Sequence, residues 1–391
     1  MVIRNKYPKL FAAAIVVVVL ILIKIIWMLI FCSTIGTFES EKKDILQRRN
    51  YLIEKVITTP EKMLGEMPAG IGSQFQGEWA LYTCSMTTAA LVNIAELYPE
   101  TKEESIRQID SLISIALSED IRDYDWIRWR EDPLESLDGD KSHISYLSHI
   151  AWMISGYKHI GGSSKYDRLF HSLCNTMNRR ILQSKNLNLQ TYPGEYIYIP
   201  DMLVAIVALN RYSEMYHGKY YLTVSQWLKK AKADWMDEKT GLMASFLSDD
   251  GEYMEELPVK GSYSALSCYY LTFIDEKFAK EQYVRLKEVF YKDCPITGFK
   301  EYSNGGGWLL GFDVDAGPIM FGLSPTGTAF GIGSTTYFKD FALRKKLLKT
   351  AEMAGSTVLW KDKRHYLLAD LALVGEAITL AMRTHYSGSA H

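Results

Sequence analysis

Two aspartates two residues apart, Asp313 and Asp315, stand in an apolar, glycine-rich run, GGGWLLGFDVDAGPIMFGLSPTGTAFGIGS. In an extended segment both side chains face the same way. Two carboxylates held together among apolar neighbours cannot both ionise comfortably, so one is expected to keep its proton. A retained proton is what a general acid needs near neutral pH. The bland alternative is that Asp315 binds the amides of its own turn and Asp313 meets an arginine. A further carboxylate, Glu195, ends the turn sequence Tyr192-Pro193-Gly194-Glu195, which carries it to a loop tip. A proton donor facing a second carboxylate is the pair that cleaves glycosidic bonds. Tyr192, Tyr198 and Trp308 offer aromatic faces on which sugar rings stack.

The remaining candidates fall in similar loops. His143 and Tyr146 are three apart and share a helical face, which suits a catalytic or hydrogen-bonding pair. Tyr263, Arg364 and His365 complete the expected lining, Arg364 being suited to an anionic group or to balancing an Asp. Asp201 follows Pro200 where a helix should open, so capping is its expected task. Gln74 and Glu78 are weaker candidates, and Glu255, Glu256 and Lys260 read as solvated turn charges.

Several classes of chemistry lack their signatures. No GK[ST] follows the glycine run and no strand–helix–strand unit surrounds it, which argues against nucleotide binding. The five cysteines show no CxxC or Cys/His spacing, so no metal site is expected, and disulfides among Cys84, Cys174, Cys268 and Cys294 are left open. No cofactor is expected. The formal net charge is −2, and the N-terminal segment takes Arg4, Lys6, Lys9 and Lys24, leaving the remainder acidic. A nucleic-acid partner would call for a basic face, so none is expected.

The elements that must hold these residues repeat. Amphipathic segments open near Glu78, His143, Asp201, Ser262, Pro325 and Tyr366, at intervals of roughly 60 residues with a shorter last one. Each interval accommodates two helices and a generous loop. The outer helix after Pro99 opens on Thr101 and Glu104, the pattern of a capping box. Short strands are expected around 187–198 and 242–253. Six helix pairs can close into an all-α ring, an (α/α)6 toroid over residues 61–391, with every decorated loop at one end as a cup.

Residues 37–60 are charged and helical in pattern, either a stalk or the outer helix that closes the ring. Leu10 to Cys32 is nearly all apolar, about the length of a bilayer span, and is expected to be a single uncleaved transmembrane anchor within residues 1–36. Arg4, Lys6 and Lys9 favour a cytoplasmic N-terminus and an extracytoplasmic main domain.

The six openings, with YPGEYIYIPD before the third and DVDAGPIMFG before the fifth, resemble the (α/α)6-toroid enzymes. That class includes glycoside hydrolases, polysaccharide lyases, sugar epimerases and linalool dehydratase/isomerase-like proteins. The resemblance implies an enzyme that acts on a carbohydrate by carboxylate acid–base chemistry. Two other readings stay open: a dehydratase or isomerase of a terpenoid or other amphiphilic alcohol, with a closed and apolar cup, and a glycan-binding receptor without turnover. Fold alone does not decide among them.

Overall fold

The computed structural model describes residues 8–32, 38–68, 72–294, 296–304 and 310–388. The chain opens with α1 (Pro8–Cys32), α2 (Phe38–Val56) and the short α3 (Pro60–Gly65). The first pair is α4 (Ser73–Leu97) and α5 (Lys102–Ala116), followed by α6 (Glu119–Trp129). Then come α7 (Ile144–His159) with α8 (Asp167–Gln183), and α9 (Ile199–Met215) with α10 (Tyr221–Asp234). The last members are α11 (Gly261–Leu271) with α12 (Glu276–Phe290), α13 (Pro325–Tyr337) with α14 (Phe341–Gly355), and α15 (Leu373–Arg383).

Helices α4, α7, α9, α11, α13 and α15 each pack on the next, and α15 returns to α4, which closes the ring. Helices α5, α8, α10, α12 and α14 lie outside their partners, and α2 packs on α15 and α4 in the remaining outer position. The inner helices are apolar around most of their circumference, as helices buried on all sides must be. In α7 every residue from Ile144 to Ser155 is buried. Small residues let inner helices approach closely: a Cβ on Gly333 of α13 would meet Met382 Sδ of α15 at 2.5 Å. Polar side chains start several helices, with Ser118, Asp275, Ser324 and Asp340 each accepting a backbone N–H three residues on.

Among the described residues, four two-stranded ribbons decorate the loops. They are β1 (Ile197–Tyr198) with β2 (Phe246–Leu247), β3 (Tyr291–Lys292) with β4 (Gly298–Phe299), β5 (Leu310–Asp313) with β6 (Gly317–Met320), and β7 (Thr357–Trp360) with β8 (Lys363–Tyr366). The β1–β2 ribbon lies within the two stretches expected to hold strands.

Some expected boundaries move. The first inner helix starts at Ser73 instead of near Glu78, and the last at Leu373 instead of near Tyr366, because Lys363–Tyr366 pairs as β8. The Thr101 cap does not form: its backbone is already helical, and its hydroxyl turns back to the Tyr98 carbonyl at 2.8 Å. Helix α6, inside the long loop after α5, was not anticipated. Cys84, Cys174, Cys268 and Cys294 are free thiols.

A buried ion-pair network joins α2 to the last pair. Arg48 reaches Glu376 at 2.7 Å and Asp44 at 3.2 Å, while Arg364 reaches Asp44 at 2.8 Å. Arg383 contacts Glu41 and Asp44, and Arg344 contacts Glu41. Burial alone would raise the Asp44 carboxyl, but Arg383, Arg48 and Arg364 together hold it well below the usual carboxylate range.

The expected transmembrane anchor is not supported. Among the described residues no helix is long and apolar enough to cross a membrane. The side chains of Leu10, Met28, Phe31 and Cys32 lie outside the described set. Helix α1 rests on α14, with Lys24 on Ser356 Oγ and Trp27 Nε1 donating to the Thr357 carbonyl at 2.7 Å. Its residues Ile15–Ile23 expose their side chains.

Candidate active site

At the loop end of the ring Tyr192, Asp201, Arg128 and Asp315 gather around Glu78, on the second turn of α4. One turn further, the Tyr82 hydroxyl donates to Asp201 Oδ1 at 2.7 Å, and Thr191 Oγ1 donates to Asp201 Oδ2 at 2.7 Å. Asp201 lies in the first turn of α9 but makes no capping bond, so its expected capping role gives way to this buried cluster. Below it lie His149 and Trp152. The His149 ring stands 4.2 Å from Tyr82, and its Nδ1 pairs with Ser85 Oγ at 2.7 Å. Burial pushes the His149 imidazole down to about 3, so it stays neutral.

The turn at Tyr192–Glu195 supplies one wall. Glu195 accepts from Arg128 Nη1 at 3.0 Å and from the Tyr198 hydroxyl at 3.1 Å. The Arg128 guanidinium, carried in by α6, lies 4.4 Å over the Tyr192 ring. The buried Tyr192 hydroxyl adjoins Glu78 and Ser145 and favours the Glu78 anion.

The opposite wall comes from α11 and the β5–β6 hairpin. Gly261 opens α11 pressed against the Lys300 backbone, where a Cβ would sit 1.9 Å from the carbonyl oxygen. This contact seats Lys260 beside the hairpin. Its ammonium bridges Asp313 and Asp315, at 2.9 Å to each. Asp313 also accepts from the Tyr302 hydroxyl at 3.0 Å and from two amides of its own turn. Tyr263 packs on Phe246 and Tyr198 with ring centroids at 5.1 and 6.1 Å. Behind Lys260, the fully buried Glu301 accepts from Ser262 Oγ at 2.8 Å.

These neighbours set the protonation states. Burial raises Glu78 to about 8, with the Asp201 and Asp315 charges adding to it and Tyr192 and Arg128 opposing. Burial also raises Asp201, against its bonds from Thr191 and Tyr82. Burial lifts Glu301 to about 7. Asp313 goes the other way: burial would raise it, but Lys260, the Ala316 amide and Tyr302 hold it below the usual range. The expectation that the Asp313–Asp315 pair holds the retained proton therefore fails for Asp313, because Lys260 neutralises the pair. The strongly raised carboxyl in the cup is Glu78.

Six of the expected residues converge here: Tyr192, Glu195, Tyr198, Tyr263, Asp313 and Asp315. Four stand elsewhere. His143 is fully buried with a left-handed backbone (φ 49°), and its Nδ1 meets Asp125 at 2.5 Å and its Nε2 meets Glu131 at 3.1 Å. It ties α6 to α7. Tyr146 is fully buried and donates to the Ala116 carbonyl at 2.9 Å, so it is core. Arg364 belongs to the Asp44 network. His365 stacks on Tyr51 at 3.8 Å. Trp308 and the Gln74 side chain lie outside the described residues. The sequence carries no cue for Arg128 or Glu301, and for Lys260 it shows only a charged turn. Among the described residues, no group of three His, Cys, Asp or Glu is arranged to hold a metal ion.

A closed ring of six inner and six outer helices with a loop-lined cup defines the (α/α)6-toroid class. No family model matches the chain. Among solved structures, it superposes on an unsaturated glucuronyl hydrolase specific for heparin with a TM-score of 0.56, at 12% identity over 92% of this chain and 96% of that one. It also superposes on a family 105 glycoside hydrolase from C. acetobutylicum ATCC 824 with a TM-score of 0.52, at 11% identity over 77% of this chain and 92% of that one. At such identities the likeness is one of fold. The class expected from the six-fold spacing is the class found.

Proposed function

We propose that this protein is a carbohydrate-active hydrolase in which Glu78 is the proton donor. The observation that carries this reading is the gathering of Tyr192, Arg128, Asp201 and Asp315 around Glu78, whose carboxyl burial raises to about 8. A carboxylic acid that keeps its proton at neutral pH is suited to protonating a leaving oxygen. In the proposed step, Glu78 gives its proton to the glycosidic oxygen as the C–O bond breaks, and the bonding pair stays on that oxygen. Water adds to the sugar carbon, and its proton passes to Asp315. That carboxylate is bound to Lys260 and is 34% exposed on its side chain, so a water can reach it. Glu195 holds Arg128 and Tyr198 in place, and Tyr198, Tyr263 and Phe246 form the face on which a sugar ring rests. The two fold neighbours named above are both glycoside-cleaving by description, which agrees with this reading.

The test is product release by the full-length protein in detergent from a mixed glycan panel, read by mass. New reducing ends that vanish in Glu78→Gln support hydrolysis. Loss of water from a terpenoid alcohol, with no glycan cleaved, moves the assignment to a dehydratase.

We infer further that α1 attaches the protein to a membrane, with the toroid on the extracytoplasmic side. Its 25 residues extend about 37 Å at 1.5 Å per residue, with an exposed apolar surface and basic residues before it. Recovery in the membrane fraction, with the toroid open to protease in intact cells, tests both parts.

A further inference from the structure

We propose that the cup takes a sugar carrying a free amino group and rejects acidic sugars. This inference rests on the siting of the substrate in the Glu78 cup and names the substrate class.

Its basis is the inventory of charge around the cup. Glu195, Asp313 and Asp315 face it as acceptors of Arg128 and Lys260, three acidic side chains to two basic ones, while Glu78 keeps its proton. Only Arg128 and Lys260 balance them among the described residues that build the cup. Both are already committed, Arg128 to Glu195 at 3.0 Å and Lys260 to both aspartates at 2.9 Å. An incoming carboxylate or sulfate would find no spare cation and would face several anions. An incoming ammonium would find the reverse.

The walls point the same way. Lys260 Nζ lies 5.5 Å from the ring centres of both Phe246 and Tyr263, and Arg128 lies 4.4 Å over Tyr192. The same rings offer their negative faces to a cation from a ligand. The Tyr192 hydroxyl, on a residue 5% exposed, adjoins Glu78 and Ser145 and so sits behind the aromatic wall. The matched hydrolase described as specific for heparin acts on an acidic sugar, so the two cups are expected to differ in charge preference.

The experiment is calorimetric binding of three tetrasaccharides to the full-length protein in detergent: a glucosamine oligomer, its N-acetylated counterpart and an oligogalacturonate. Glu78→Gln is run beside wild type. The glucosamine oligomer is expected to bind at least about tenfold more tightly than the N-acetylated one, and the uronate at least about tenfold more weakly than it. The gaps should narrow as salt rises. In Glu78→Gln the order of the three should persist, because Glu195, Asp313 and Asp315 remain. Equal binding of all three, preference for the uronate, or binding of none overturns the proposal. If the order holds but glycan turnover in Glu78→Gln equals that of wild type, the charge preference stands and only the role of Glu78 as acid falls.

Discussion

Glu78 and Asp313 are both carboxylates in one cup, and their neighbours drive them apart. Asp313 has a lysine, a tyrosine hydroxyl and two amides as donors, and stays ionised. Glu78 has burial and two acidic neighbours, and holds its proton up to about pH 8. Activity that needs the Glu78 proton should therefore fall as pH rises through about 8, and a pH–rate profile checks this. The same shift bears on stability. The folded form keeps a proton that the unfolded form has released above its ordinary carboxyl range, so Glu78 costs stability increasingly as pH climbs toward 8. Glu78→Gln should melt above wild type at pH 8 and close to it at pH 4, as thermal scans at the two values would show. This residue was hard to read in the sequence because its signal is burial, which a single chain of letters does not display. Asp313 and Asp315 were legible as a pair, but the lysine that neutralises them lies more than fifty residues away, in a loop that looked merely solvated.

At the scale of elements, the β5–β6 hairpin and the start of α11 depend on Lys260. Replacing it by Met leaves Asp313 and Asp315 facing each other without a cation, at a cost of about 2 kcal/mol, since Asp315 is partly open to solvent. Adding Asp313→Asn and Asp315→Asn to Lys260→Met should recover most of that loss, measured by urea denaturation. A triple variant no more stable than the single one would contradict the bridging role. The helices themselves were legible because the inner ones are apolar runs, most of them opened by Pro, Ser or Gly within their first two residues. Misplaced boundaries came from β-pairing, as at Lys363–Tyr366, whose partner strand turns on Lys361 and Asp362. Helix α6 was missed because its sequence, EDIRDYDWIRW, is charged and buries only four of its residues. That omission concealed Arg128.

For the whole molecule, the last outer position is filled by α2, which reaches the domain through a network of buried charges. Asp44 takes three arginines, so Asp44→Asn leaves them undercompensated and should cost about 3–5 kcal/mol. Removal of residues 1–36 should leave the melting temperature nearly unchanged, whereas removal through Ile57 should abolish the cooperative transition. Equal melting of the two truncations would mean that α2 is dispensable to the ring. The six-fold spacing was readable across the chain because each pair repeats the same packing problem. The chemistry was not, because it arises only where segments separated by more than two hundred residues, such as those of Glu78 and Asp315, meet at one end of the ring.

The most direct measurement is turnover and binding of the same glycan by wild type and Glu78→Gln at pH 6.5, a condition on the order of one unit below the pKa at which Glu78 releases its proton. The expected result is unchanged affinity within about threefold and turnover reduced by about a thousandfold, the range of a lost general acid. Near wild-type turnover in Glu78→Gln would contradict the assignment of Glu78 as proton donor.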